Sequence, residues 1–254
     1  MKLKILGCSG GIGGSLRTTS MLLDHDVLID AGTGVGDLSL EEMSAIDHVF
    51  LTHSHLDHIV SIPFMLDSVG SMRDNPLTIY ALAETLEALQ QHIFNWKIWP
   101  DFSQIPTPQR PHLRYQTITL GKTVILNGRK ITALPANHVI PAVGYQLDSG
   151  TSSLVFSGDT STQDEFWDVV NGIENLGYLL IETAFPDSEK ELAVMSKHLC
   201  PSMLAGELKK LRGNPRIFIT HLKPDESEIT MQEINQGIRE NQPRMLVNGQ
   251  VFEL

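Results

Sequence analysis

Within Thr52-His53-Ser54-His55-Leu56-Asp57-His58, three imidazoles and a carboxylate fall inside six positions. Imidazole nitrogens and carboxylate oxygens are the donors that divalent zinc, manganese and iron accept. His53 and His55 lie two residues apart, so on an extended segment both rings project to one side. Asp57 and His58 lie past the turn and can face a second point. A histidine-rich polar loop is the plain alternative. Four potential ligands directly after an apolar strand favour a metal centre.

Two metal ions sharing a water need more ligands than this run holds, and the rest of the chain offers them at strand ends. His138 sits in PANH after ITAL, Asp159 in SGDT after SSLVFS, and His221 in TH after RIFIT. Each follows a β run and opens a loop, where a strand scaffold can hold a site rigidly. Singly, each reads as a solvated loop side chain. Together with His53, His55, Asp57 and His58 they make one consistent set for two divalent ions. The histidine content favours zinc, and manganese or iron would accept the same ligands.

The elements that must position these residues follow from hydrophobic pattern. Strands are expected at 1–7, 20–23, 27–30, 48–52, 77–81, 130–134, 142–147, 153–157, 178–182 and 216–220. Helices are expected at 41–45, 59–68, 83–94, 164–172 and 202–211. Residues 95–116 carry several prolines and aromatics and no clean period, and read as a lid or rim segment, with a dimer contact as the plain alternative. Two successive β-rich halves with helices outside predict a layered αβ/βα sandwich of the α/β (α+β) class, built as one domain over 1–254.

The chain has 254 residues, of which 41% are hydrophobic and 19% charged, which suits a globular protein with a sizeable core. A formal net charge of −11 argues against gripping long DNA or RNA by its backbone. It does not exclude a small anionic substrate, because a bound metal outweighs the global field locally. Cys8 and Cys200 are the only cysteines, so no disulfide framework is expected. The N-terminus lacks a long apolar segment, and no window approaches about 18 apolar residues. A cytoplasmic protein without a membrane span is the expectation.

The series His53-x-His55-x-Asp57-His58, His138, Asp159, His221 resembles that of the metallo-β-lactamase superfamily in order and in strand-end context. The resemblance covers most of the chain and implies the four-layer αβ/βα sandwich of that family. It implies that His53, His55 and His138 hold one metal, that Asp57, His58 and His221 hold the other, and that Asp159 bridges them. Leu179-Leu180-Ile181-Glu182-Thr183-Ala184 followed by Lys197-His198-Leu199 resembles the Glu and His elements of the phosphodiesterase branches. Leu6-Gly7-Cys8-Ser9-Gly10-Gly11 resembles their N-terminal loop.

Among those branches, the chain resembles the class II 3′,5′-cyclic-nucleotide phosphodiesterases. The similarity lies in His53 to Ile59, in His92-Ile93-Phe94-Asn95 with Ile98-Trp99-Pro100-Asp101, in Glu182 to Asp187 and in Thr220-His221-Leu222-Lys223-Pro224. Transfer-RNA 3′-processing ribonuclease Z is next, although no long glycine- and proline-rich arm for an RNA is present. The implied activity is hydrolysis of cyclic AMP or cyclic GMP to the 5′-nucleotide, by a hydroxide shared between two metals. His198, oriented by Glu182, would protonate the departing ribose oxygen, and Asp57 belongs to the catalytic set as well as to the ligands. Family members often dimerise, so a homodimer is expected too. The departure from the family pattern is Ser61-Ile62-Pro63-Phe64, where a small residue and an aliphatic run are usual, and it bears on substrate preference more than on metal binding.

Other readings compete. Gly7-Cys8-Ser9-Gly10-Gly11 fits the G-x-S-x-G of a serine hydrolase, but that elbow needs sheet strands before it, and here it follows the first strand. Gly32-Thr33-Gly34-Val35-Gly36 hints at a phosphate loop but lacks the full spacing, so a tight turn is the better reading. Asp30, just before it, is a candidate partner for a metal ligand. A non-catalytic metal or nucleotide sensor would keep the ligands without turnover. Lactonases of the same fold would not need Glu182 and His198.

Overall fold

The computed structural model describes residues 1–240 and 242–254. Two seven-stranded sheets carry the chain. The first runs in the order Val251–Glu253, Lys2–Gly7, Ser20–Leu23, Val27–Ala31, His48–Phe50, Leu77–Ala81, Leu113–Thr117. The second runs Arg244–Met245, Arg216–Thr220, Leu176–Glu182, Ser153–Phe156, Val143–Asp148, Arg129–Pro135, Thr123–Leu126.

Side chains alternate across each strand, and the apolar residues are sorted accordingly. Leu3, Ile5, Met21, Leu23, Val27, Ile29 and Phe50 of the first sheet meet Ile131, Val143, Tyr145, Leu147, Leu154, Phe156, Leu180 and Phe218 of the second in a shared core. Leu22, Leu28, Val49, Leu51, Leu77 and Ile79 face the other way, onto the helices Ser61–Val69 and Ala83–His92. Val155, Leu179, Ile181, Ile217 and Ile219 face the helices Glu165–Val170, Pro201–Leu208 and Ser227–Gly237. The result is the expected αβ/βα arrangement of four layers. Strands buried on both faces read as continuous apolar runs, which is why 178–182 and 216–220 stand out in the sequence.

The expected central strands are present with ends shifted by a few residues. The differences lie at the periphery. The edge strands Thr123–Leu126, Arg244–Met245 and Val251–Glu253 are short and half exposed, so no apolar alternation announces them. The helices Lys190–Ser196 and Ser227–Gly237 bury little, Ala193 in one and Thr230 and Ile234 in the other. Residues 113–117 form an edge strand paired with Leu77–Ala81, and Phe102 and Leu113 are buried in the core, so segment 95–116 is anchored rather than free along its length. Helix begins at Leu56, earlier than expected, and breaks at Val60 into Leu56–Ile59 and Ser61–Val69. Pro63 explains the break, since it has no N–H to bond the carbonyl four residues back. Among the described residues no helix is long and apolar enough to cross a membrane.

At the edge where Val27–Ala31 and Arg129–Pro135 begin, a buried ion pair ties the two sheets. Arg129 donates to both oxygens of Asp26, at 2.7 Å on the Nη2 side, and reaches Asp24 at 3.3 Å. The guanidinium holds the Asp26 carboxyl below the usual carboxylate range. A depressed carboxyl stabilises the fold fully above its unfolded pKa, and that contribution is lost as pH falls through the folded value. Asp26→Asn leaves a buried cation half-paired and should cost about 3 kcal/mol at neutral pH. In urea titrations the gap between variant and parent should be full above about pH 5 and shrink below about pH 4. A gap that stays constant with pH would show that the charge is not what is lost.

Candidate metal centre

Strands Val27–Ala31 and His48–Phe50 run parallel, as do Ser153–Phe156, Leu176–Glu182 and Arg216–Thr220. Their carboxyl ends therefore lie on one edge of the sandwich, the edge where open α/β sheets place ligands. Hydrogen bonds close the two sheets against each other there. Val143 N–H donates to the Thr52 carbonyl at 3.0 Å, His221 N–H to the Cys8 carbonyl at 2.8 Å, and the Tyr145 hydroxyl to the Leu51 carbonyl at 2.7 Å.

The structure brings all the expected ligand residues to this edge, in two groups. One is His53, His55, His138 and Asp159; the other is Asp57, His58, Asp159 and His221. Within each group the candidate ligand atoms lie within 4.8 Å of one another. His55 Nδ1 lies 3.0 Å from His53 Nε2 and 3.2 Å from His138 Nε2. Asp159 belongs to both groups. Its Oδ2 is 3.3 Å from His58 Nε2 and 3.7 Å from His53 Nε2, and its Oδ1 is 3.2 Å from His221 Nδ1. Asp57 Oδ2 is 3.6 Å from His58 Nε2 and 3.8 Å from His221 Nε2.

These atoms fit cations better than they fit one another. Three imidazole nitrogens converge on one point in the first group. In the second, His58 Nε2 and His221 Nδ1 are buried without a hydrogen-bond partner among the described residues. Buried polar atoms left unpaired are costly, and a divalent ion in each group would accept their lone pairs. Burial pushes His53 and His55 down from the ordinary histidine range, His138 to about 4 and His221 to about 3. They are therefore neutral at pH 7, the form that binds metal. Burial opposes a charge on His58 as well, but Asp159 and Asp30 outweigh it and raise that group. Burial likewise opposes ionisation of Asp159, and His221 and His58 overcome it, holding the carboxylate well below its usual range.

A second layer orients the ligands. Asp30 accepts from His58 Nδ1 at 2.7 Å and from the Thr52 amide and hydroxyl at 2.8 Å each, so it stands behind a candidate ligand. Thr52 Oγ1 also lies 2.9 Å from His53 Nδ1, a link that sequence reading missed although the threonine directly precedes the ligand run. Asp30 and His221 hold left-handed backbone at φ 55° and 64°. Such strain in non-glycine residues gathers where a site over-determines the chain.

The fully buried Glu182 accepts from His198 Nδ1 at 2.7 Å, and from the Thr160 and Leu199 amides at 3.0 and 3.3 Å. The His198 ring lies 5.0 Å from that of His138 and stacks on that of His221 at 5.2 Å. His198 is itself buried rather than a surface residue beside a helix. Burial would lower its pKa, but Glu182 outweighs it, and the net shift is upward.

The two glycine motifs serve packing. A Cβ on Gly10 would stand 2.5 Å from the His221 carbonyl and 2.9 Å from its ring, so only glycine lets this loop close on that ligand. A Cβ on Gly32 would stand 2.4 Å from the Asp57 carbonyl. Ser9 Oγ donates to the Leu222 carbonyl at 3.3 Å and has no histidine partner among the described residues, which removes the serine-hydrolase reading.

Residues 25–228 match the family described as the β-lactamase superfamily domain. The chain belongs to that superfamily. The metallo-β-lactamase fold protein YhfI of Bacillus subtilis superposes with a TM-score of 0.78 at 19% identity, over 99% of each chain. Unliganded yeast PDE1 superposes at 0.79 and 17%, over 100% of this chain and 99% of that one. In sequence, the chain is 26% identical to a probable 3′,5′-cyclic-nucleotide phosphodiesterase of Yersinia pestis, over 76% of this chain and 63% of that protein's length. It is 26% identical to the probable metallo-hydrolase YhfI, over 87% of each. It is 32% identical to ribonuclease Z of Clostridium beijerinckii, over 56% of this chain and 47% of that one. The two His/Asp groups of this superfamily member could each hold a metal ion.

Asp30→Asn would present an amide where His58 and Thr52 need an acceptor. It should weaken metal binding about 10- to 100-fold while the chain stays folded. Chelator competition followed alongside circular dichroism checks this, and unchanged affinity would remove Asp30 from the orienting layer.

Proposed function

We propose that this chain is a two-metal phosphodiesterase that hydrolyses 3′,5′-cyclic nucleotides, cyclic AMP or cyclic GMP, to 5′-nucleotides. The observation that carries the reading is the buried Glu182–His198 pair, 2.7 Å apart, standing against both ligand groups. The similarity to proteins named as cyclic-nucleotide phosphodiesterases supports it.

In this reading His53, His55, His138 and Asp159 hold one ion, and Asp57, His58, His221 and Asp159 hold the other, with zinc as the metal the donors favour. Bound there, the ions would supply a nucleophilic water at neutral pH and neutralise charge developing on the phosphoryl oxygens. His55 and Asp57 are the ligands not fully buried, so the substrate approaches over them. Glu182 accepts the Nδ1 proton of His198 and fixes its orientation. Nε2, which has no hydrogen-bond partner among the described residues, is then the atom that gives a proton to the departing ribose oxygen. Glu182 raises the pKa of that imidazole, which favours the protonated form that the acid role needs.

A ribonuclease Z-like endonuclease is the second reading, favoured by the 32% identity over the shared half of the chain. A net charge of −11 weighs against it. Purified protein should hydrolyse 3′,5′-cyclic AMP or cyclic GMP, lose the activity to a chelator, and leave a precursor transfer RNA intact. Cleavage of the RNA alone would move the chain to the second reading. Nucleotide binding without turnover would make it a sensor.

His198→Ala should keep its metal content and lose about 10²- to 10⁴-fold in turnover of the cyclic nucleotide. The loss should be far smaller on an aryl phosphodiester whose leaving group needs no proton. Near-normal turnover of the cyclic nucleotide would refute the acid role.

A further inference from the structure

Lys197 sits between a candidate ligand and the acid histidine, in a backbone conformation that disfavours it. It ends the helix Lys190–Ser196 at φ 53°, ψ 52°, the left-handed turn that usually falls to glycine at a helix end. Its N–H donates to the Val194 carbonyl at 3.3 Å, and the next N–H, of His198, donates to Ala193 at 2.8 Å. Glycine would close this helix with less strain. Strained residues of this kind point to what their side chains do.

Both ends of Lys197 grip His138. Its carbonyl accepts from His138 Nδ1 at 3.1 Å, and its ammonium donates to the main-chain carbonyl of His138 at 3.1 Å. A proton on Nδ1 leaves the lone pair on Nε2, the nitrogen that faces His55 at 3.2 Å. The carbonyl therefore selects the tautomer that can bind metal. Apart from the His55 contact at Nε2, nothing else among the described residues bonds the ring or the main chain of His138. The loop around it is held through Asn137, whose amide donates to Thr160 Oγ1 at 3.0 Å and whose side chain donates to the Thr162 carbonyl at 3.0 Å.

We propose that Lys197 is a positioning residue that clamps His138 by its ring and its main chain, and so ties a metal ligand to His198 one residue further on. The link to His198 rests on the phosphodiesterase reading; the clamp on His138 concerns metal binding alone.

The test compares the parent with Lys197→Gly, Lys197→Met and Lys197→Arg. Zinc affinity is read by competition with a chromophoric chelator, and the stability of the metal-free protein by thermal melting. Lys197→Gly keeps the left-handed turn and the accepting carbonyl and removes only the ammonium. The metal-free glycine variant should melt at or above the parent's temperature, while the affinity for one of the two zinc ions falls about tenfold. Lys197→Met should lose the same affinity, and Lys197→Arg, which keeps a donor, should recover most of it. Parent-like zinc binding in the glycine and methionine variants would overturn the proposal. So would a glycine variant whose lost affinity tracks a lowered melting temperature, since that marks a structural residue. A parent that binds two zinc ions but leaves cyclic nucleotides uncut would sink the substrate assignment, and the zinc affinities of the variants would still decide the clamp.

Discussion

Asp159 is 2% exposed, and its carboxylate must nonetheless stay ionised among histidine rings. A charge taken out of water is tolerable only where opposite charge and hydrogen bonds replace the lost hydration. The histidines His53, His58 and His221 stand within 3.7 Å of it, and two of their ring nitrogens have no hydrogen-bond partner among the described residues. Such a cluster is an unstable arrangement of side chains and a good one for cations. The surrounding structure reads as the means of keeping it in place. Asp30 holds His58 from behind, Thr52 joins Asp30 to His53, and the Gly10 loop closes over His221.

That cluster also explains the architecture. The candidate ligands come from both sheets, so neither sheet alone can assemble it. The shared core of Leu3, Ile5, Ile29 and Phe50 against Tyr145, Leu154, Phe156 and Leu180 fixes the distance between the two sets of strand ends. Close packing makes such a core resist small displacements, which is what a site with tolerances of a fraction of an ångström requires. The Asp26–Arg129 pair fastens the opposite edge of the same two sheets.

The candidate ligands were legible in the sequence because metal binding restricts residue type, and strand ends restrict position. His53 to His58, His138, Asp159 and His221 each follow an apolar run that a half-buried or fully buried strand must show. Glu182 was legible for the same reason, since it ends the run LGYLLIE. His198 stood out only through its likeness to a family motif. The helix that precedes it, Lys190–Ser196, buries one residue and leaves no periodic trace. The role of Thr52 could not be read locally, because its partner Asp30 is 22 positions away. The edge strands escaped because pairing with a neighbour, not burial of a face, defines them.

The acid pair and the ligand groups are not independent parts. A cation in either group would lie against the rings that flank His198 at 5.0 and 5.2 Å, and its charge would oppose a proton there. Only a carboxylate that stays ionised in the same dry surroundings can offset that field. Burial raises the pKa of Glu182, and His198 and the Thr160 amide work against that rise; the Leu199 amide bonds the carboxylate as well. Thr160 follows Asp159, the carboxylate common to both ligand groups. Leu199 follows His198, and Lys197 before it bonds His138. Two short stretches, Asp159-Thr160 and Lys197-His198-Leu199, thus connect the ligands to the acid through adjacent peptide units. A displacement of Asp159, or of His138 through its bond to the Lys197 carbonyl, would reach the Glu182–His198 pair through these peptide units, so the candidate ligand groups and the position of His198 are coupled.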